Sequence, residues 1–241
     1  MLPPMKKNLI TAASRGRANF GWLNSYHSYS FGNYYNPERM QFGALRVLND
    51  DRVAPGMGFD THPHRNMEII SIGLEGELKH QDSMGNTAII KAGDIQVMSA
   101  GSGITHSEYN NSKSEPVAFL QIWIFPSQAN VAPRYDQISL KDLLKPNTWN
   151  LFLGPYGQYD GMWVYQNIWF HWGNFEAGQT ISYALKNTQH GLFIFVIEGT
   201  VLTAGELLNQ RDALELTAIT ELEFEFKAAA TVLLMEVPLL A

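Results

Sequence analysis

Cysteine is absent from all 241 residues, which excludes disulfides, thiolate zinc sites, iron–sulfur clusters and cysteine nucleophiles together. Any metal must be held by histidine and carboxylate. No run of about 18 apolar residues is present to span a bilayer, and Met1-Leu2-Pro3-Pro4-Met5-Lys6-Lys7 has no apolar stretch behind its lysines to serve as a signal peptide. The cytoplasm is the expected location and no membrane contact is expected, so the sequon at Asn110 to Ser112 carries no meaning there. Concentrated positive charge is missing as well: 17 Lys and Arg stand against 23 Asp and Glu, for a net charge of −6, and no basic run exceeds Lys6-Lys7. Direct nucleic-acid binding needs a dense Lys/Arg face and is not expected.

What is present is a globular composition, 45% hydrophobic, 17% charged and 12% aromatic, at a length that suits one large or two small domains. Short apolar runs bounded by Gly, Asp, Asn or Pro recur: GALRVLN from Gly43, MEIISIGL from Met67, TAIIKA from Thr87, DIQVMS from Asp94, VAFLQIWIF from Val117 and LFIFVI from Leu192. These predict a mainly β, antiparallel fold of sandwich or barrel type. Only residues 137–144 and 2–15 give a weak case for helix. The chain also repeats itself at an offset of 123, aligning IISIGLEGEL from Ile69 with LFIFVIEGTV from Leu192, each ending in Glu-Gly. Lys91-Ala92-Gly93-Asp94 has a loose counterpart in Asn209-Gln210-Arg211-Asp212. Two β-barrel halves follow, with a boundary between 135 and 150: an N-terminal domain over 1–135 and a C-terminal one over 136–241.

The chemistry-bearing pattern is Thr61-His62-Pro63-His64, answered about forty residues later by Thr105-His106-Ser107-Glu108. Strand residues two apart share a face about 6.6 Å apart, close enough for both side chains to reach one ion. Two adjacent strands, each with such a pair, present three imidazoles and a carboxylate to one point. That set suits Fe, Mn, Ni, Cu or Zn, with open positions for water, dioxygen or substrate. Glu68 has the parity of His62 and His64, which leaves it a ligand or an orienting neighbour. Three ordinary histidines must be neutral to ligate, so metal affinity is expected to fall below about pH 6. At the repeat offset His62 becomes Leu185, His64 becomes Asn187 and Glu68 becomes Gly191, and no histidine follows His190. One divalent metal per chain is expected.

These residues resemble the cupin pattern G(x)5HxH(x)3-4E(x)6G through Gly56 or Gly58, His62, His64, Glu68 and Gly76. The second motif, G(x)5PxG(x)2H(x)3N, is matched by Gly93, Gly103, His106 and Asn110, with two extra residues and no proline. With HSYSFGNYYNPE from His27 and ALRVLNDDRVAPGMGFDTHPHRNMEI from Ala44, the chain is similar to the pirin family, closely over residues 22–126 and loosely beyond. The resemblance implies a bicupin, two double-stranded β-helix (jelly-roll) barrels. It further implies one metal, usually iron, held by His62, His64, His106 and Glu108 in the N-terminal barrel, with Glu68 not coordinating and the second barrel degenerate.

It implies a quercetin 2,3-dioxygenase, opening a flavonol with dioxygen and releasing carbon monoxide while Glu108 takes the 3-hydroxyl proton. Its partners would be a small aromatic substrate and dioxygen, and the chain a monomer. A second class is a redox-responsive regulatory protein that binds a protein partner, and a third a zinc or manganese isomerase or hydrolase on the same fold. No site for an organic cofactor is expected, since Ala100-Gly101-Ser102-Gly103 lacks the lysine of a phosphate loop. His27 is read as a mouth residue or a packed hydrogen-bonding one, and His80, His171 and His190 as structural. The aromatic stretch of Tyr156, Tyr159, Trp163, Tyr165, Trp169 and Trp172 is read as packing. Phe59, Met67, Trp123 and Phe125 are pocket candidates.

Overall fold

The computed structural model describes residues 3–240. Among them there is no α-helix, only the single 3-10 turns Ala12–Ser14 and Leu140–Asp142, and so none long and apolar enough to cross a membrane. Both weak helical expectations fail, although residue 2 lies outside the described residues. Residues 134–139 form a strand whose partner is Asp94–Ser99, and Lys6–Ile10 is a strand on Ala213–Thr217. Remote partners override the local pattern in both.

Four sheets stack as four layers. The first seven-stranded sheet runs Arg134–Ser139, Asp94–Ser99, Glu68–Glu75, Val117–Ile124, Leu45–Val53, Leu23–His27, Gly16–Asn19. Facing it is a four-stranded sheet, Gly58–His64, Ile104–Asn110, Glu77–Asp82, Thr87–Lys91. The C-terminal half repeats this plan with Lys6–Ile10, Ala213–Thr217, His190–Glu198, Ala230–Pro238, Trp169–Phe175, Asn150–Pro155, Met162–Val164, faced by Thr180–Ala184, Glu221–Phe226, Val201–Thr203, Glu206–Leu208. The pairings are antiparallel except that of Asn150–Pro155 with Met162–Val164. Each half is a jelly roll of two facing sheets, the mainly β bicupin expected, though not a closed barrel.

The repeat is visible in backbone detail. Gly76 and Gly199 both take positive φ, +71° and +85°, and both lie against the start of the central strand of their half's large sheet, Val117–Ile124 or Ala230–Pro238, where a Cβ would meet the carbonyl of Pro116 or Ala229. Asp94 accepts from the Lys91 amide at 3.0 Å and Asp212 from the Asn209 amide at 2.9 Å, so the two loosely matched turns are the same turn. The edges are exchanged. The N-terminal strand completes the second half's sheet, and the connecting strand Arg134–Ser139, which a division between 135 and 136 would cut, completes the first's.

The large sheets pack face to face, which buries both of their faces and explains apolar runs without alternation. Ile70, Ile72, Leu120, Ile122 and Ile124 meet Phe152, Phe170, Phe193, Phe195, Leu233 and Met235 in the central core. Inside the second half Tyr183, Leu222, Phe224 and Phe226 are buried with Leu192, Ile194 and Leu234. The first half is different. Its interior is apolar near Val53, Leu78, Ile90 and Phe119, but a polar row of Gln96, Ser71, Gln121, Asn49 and His27 lies in direct register across its sheet.

Candidate metal centre

His62 and His106 face each other across the pairing of Gly58–His64 with Ile104–Asn110, and Ile104 faces His64. The ladder slips between His106 and Glu108, whose partners are His62 and Phe59, so Asp60 and Thr61 together oppose Ser107. Such a bulge frees backbone groups from the ladder. The Asp60 carbonyl uses this freedom: it accepts a hydrogen bond from Nδ1 of His62 at 2.7 Å. That fixes the proton on Nδ1 and leaves Nε2 of His62 a bare acceptor.

The three imidazoles converge. Nε2 of His106 stands 3.0 Å from Nε2 of His64 and 3.1 Å from Nε2 of His62, and the three residues form one group of potential ligands. Two nitrogens each about 2.1 Å from an ion and at right angles around it are about 3.0 Å apart, against about 3.4 Å for tetrahedral angles. The residues therefore fit a metal bound on one face with positions left open. A bare lone pair on His62, 3.1 Å from another ring nitrogen, is the arrangement a cation stabilises.

Glu108 is not in that group. Its buried carboxylate accepts hydrogen bonds from Nε2 of Gln121 at 2.8 Å and from the Ser71 hydroxyl at 3.2 Å, and it clusters instead with His106 and His80. Burial pushes it up to about 7, against the pull of Ser71 and with help from the charge of Asp51. Glu68, whose parity pointed inward, faces the other way. The chain turns at Asn66, with φ 49°, and Glu68 accepts from the Ser99 hydroxyl at 2.6 Å. Alternation does not carry through a turn.

Sequence reasoning passed over His80. It is fully buried, opposite Glu108 in the ladder, with Nδ1 3.4 Å from Nδ1 of His106. Its neighbours Gln81 and Asp82 read as a turn, which hid that residues 77–82 form an inner strand. His27 bonds to Asn49 Oδ1 at 2.7 Å and lines a cavity of about 140 Å³ with Phe20, Phe31, Phe59, Asn49 and Asp51. Trp123 connects this cavity to the imidazoles, its ring edge-on to His64 at 4.9 Å and to Phe31 at 5.3 Å. In the second half His190 pairs with the buried Glu236 at 3.1 Å, and His171 packs on Tyr183. Of the aromatic stretch, Trp172 is buried in the core between the halves, Trp163 lies under Arg134 at 3.7 Å and packs on Tyr156 and Tyr165, and Tyr156 is exposed.

Residues 10–124 match the pirin family and residues 151–237 a quercetinase C-terminal cupin domain. A protein of Escherichia coli K12 named quercetin 2,3-dioxygenase is 39% identical over 95% of this chain and 98% of its own length. The chain belongs to the pirin family. The bacterial pirin YhhW of Escherichia coli, crystallised in complex with nickel(II), superposes with a TM-score of 0.92 at 36% identity, covering 98% of this chain and all of that one. A quercetin 2,3-dioxygenase from Acinetobacter baumannii, 20% identical with a TM-score of 0.77 and coverage of 98% and 79%, shares the fold.

Burial, and then the neighbouring imidazoles, push His106 down to about 2, and burial with His62 pushes His64 down to about 4. In this pirin the two nitrogens therefore stay free of protons well below the ordinary range. An unperturbed imidazole costs about tenfold in metal affinity at one pH unit below its pKa of about 6.5. Between pH 7 and 5.5 His64 and His106 are thus expected to add almost nothing to the loss of nickel affinity, where two ordinary histidines would add about a hundredfold, while displacing the proton of Glu108, were it to ligate, would add about tenfold. Competition titration against a chelator of known protonation checks this, and a loss of about 10⁴ would overturn it.

Proposed function

We propose that this pirin is a metal-dependent dioxygenase that opens quercetin or a related enolic aromatic with dioxygen. His62, His64 and His106 hold one divalent transition metal, iron by family resemblance, and Glu108 completes the ligand set and serves as the base. The observation that carries the reading is the convergence of three imidazole nitrogens at 3.0 to 3.1 Å, with Trp123 between His64 and Phe31 in the wall of the aromatic-lined cavity. When bound, the metal acidifies a coordinated hydroxyl and provides an electron path between the organic substrate and dioxygen.

The protein's own groups do the rest. A cavity near 150 Å³ with apolar walls admits a single benzene ring, so the one beside His27 accommodates one ring of the substrate between Phe31 and Phe59. His27, Asn49 and Asp51 in its lining supply polar partners for ring hydroxyls. Glu108 takes the substrate hydroxyl proton onto a carboxylate oxygen, a role supported by the bonds from Gln121 and Ser71 that keep that carboxylate oriented. General-base assistance of this kind contributes about 10²- to 10⁴-fold.

The test is oxygen uptake with quercetin by anaerobically prepared, Fe(II)-loaded protein, with metal analysis of the same sample. Uptake is expected, lost in His62→Ala together with the metal. Glu108→Gln is expected to slow kcat by about 10² or more. One bound metal per chain with no uptake on any flavonol would overturn the dioxygenase reading and shift weight to the regulatory one.

A further inference from the structure

His106 is the one residue common to both ligand clusters. Its Nε2 faces His62 and His64, so its Nδ1 points away from the metal position, and there it meets His80 at 3.4 Å. On the far side of His80, Nε2 lies 3.4 Å from Oδ2 of Asp82. The side chains of His80 and Asp82 are 0% exposed, and Tyr135 covers the His80 ring at 4.9 Å. No bulk water reaches this chain of groups, so the protein itself decides where its protons sit.

Asp82 is held rigidly. It accepts from the Met84 and Asn86 amides at 2.9 and 3.0 Å and from the Asn86 side chain at 2.8 Å. An ionised carboxylate only accepts, and a neutral imidazole has one donor and one acceptor nitrogen. Asp82 therefore takes the proton-bearing Nε2 of His80. Nδ1 of His80 is left as an acceptor, so Nδ1 of His106 must donate to it, and Nε2 of His106 is left bare. Each step follows from the one before.

We propose that His80, oriented by Asp82, is a positioning residue that sets the tautomer and ring orientation of His106 so that its Nε2 is presented to the metal. It is the side-chain counterpart of the Asp60 carbonyl, which does the same for His62. The inference rests on the three-histidine reading of the site and extends it to residues outside the ligand set.

The test measures nickel(II) affinity by chelator competition in the full chain. His80→Leu, which offers neither donor nor acceptor, is expected to bind 10- to 100-fold more weakly, the usual effect of losing a ligand's orienting partner. His80→Gln can accept from His106 and donate to Asp82, and is expected within about threefold of the unsubstituted protein. Long-range proton–nitrogen NMR correlations on the metal-free unsubstituted protein should place the His106 proton on Nδ1. Loss of affinity in His80→Gln as large as in His80→Leu would mean that His80 itself ligates, and would overturn the proposal. Unchanged affinity in His80→Leu, or a proton on Nε2 of His106, would overturn it too. The NMR result stands even if His80→Leu does not fold. Unsubstituted protein that binds no nickel would overturn this proposal and the metal reading together, whereas dependence on position 80 without oxygen uptake would overturn only the dioxygenase.

Discussion

His106→Ala is expected to bind nickel(II) about 10²- to 10³-fold more weakly. Four-ligand structural sites bind divalent zinc with about 10–16 kcal/mol, and an equal share of such a total for one ligand of four is about 2.5–4 kcal/mol, or two to three decades in affinity. The loss should be larger than for any substitution at His80, because His106 stands between the other two nitrogens, 3.0 and 3.1 Å from them. The C-terminal half should stay folded, since its interior core of Leu192, Ile194, Phe224, Phe226 and Leu234 contains no residue of the site. Equilibrium dialysis gives the affinity, and hydrogen exchange over Leu192 to Leu234 reports the second half. Nickel bound with unaltered affinity would remove His106 from the ligand set, and soluble protein lost altogether would mark the ion as structural.

Gly199→Val is expected to give the largest stability loss of the substitutions considered, about 3 kcal/mol or more. Two causes add. The residue adopts φ +85°, and a Cβ there would lie 2.0 Å from the Ala229 carbonyl oxygen and 2.6 Å from the Ala230 Cα, both backbone atoms of a central strand's start. Neither can move without breaking the pairing of Ala230–Pro238 with Trp169–Phe175. For a chain of this size the melting temperature should fall by about 6–12 °C. Gly205→Ala is the control: its φ is +75° but the nearest atom is 3.9 Å away, the end of a flexible lysine, so about 1 kcal/mol is expected from backbone strain alone. Equal melting points for the two variants would show that the close approach at Gly199 carries no energy.

The central strands of both large sheets were legible because they are buried on both faces and so read as unbroken Ile, Val, Leu and Phe. The repeat was legible because Glu-Gly marks a backbone that only glycine adopts without strain. The paired histidines were legible from the two-residue period. Lys6–Ile10, by contrast, has four of five residues exposed, and what makes it a strand is Ala213–Thr217, far along the chain. The parity of Glu68 left its role open, because a turn at Asn66 resets the alternation. The bulge at Asp60 and Thr61 leaves no compositional trace, so the hydrogen bond that orients His62 could not be foreseen. His80 was lost for a related reason: its importance lies in a ring 26 residues away, and nothing at that spacing announces contact.

The exchange of edge strands puts an early-made segment of the polypeptide beside a late-made one. Asn8 is bonded to Glu215, 207 residues later, and at 5–20 residues per second the ribosome needs about 10–40 s to make that stretch. Throughout this interval Lys6–Ile10 must wait as an unpaired strand while the first half folds next to it. Adjacent lysines at its start are the kind of charge that discourages a waiting edge from joining a neighbouring chain. Closure of the second half is thereby a late event in biogenesis, completed by residues that left the tunnel well before their partners.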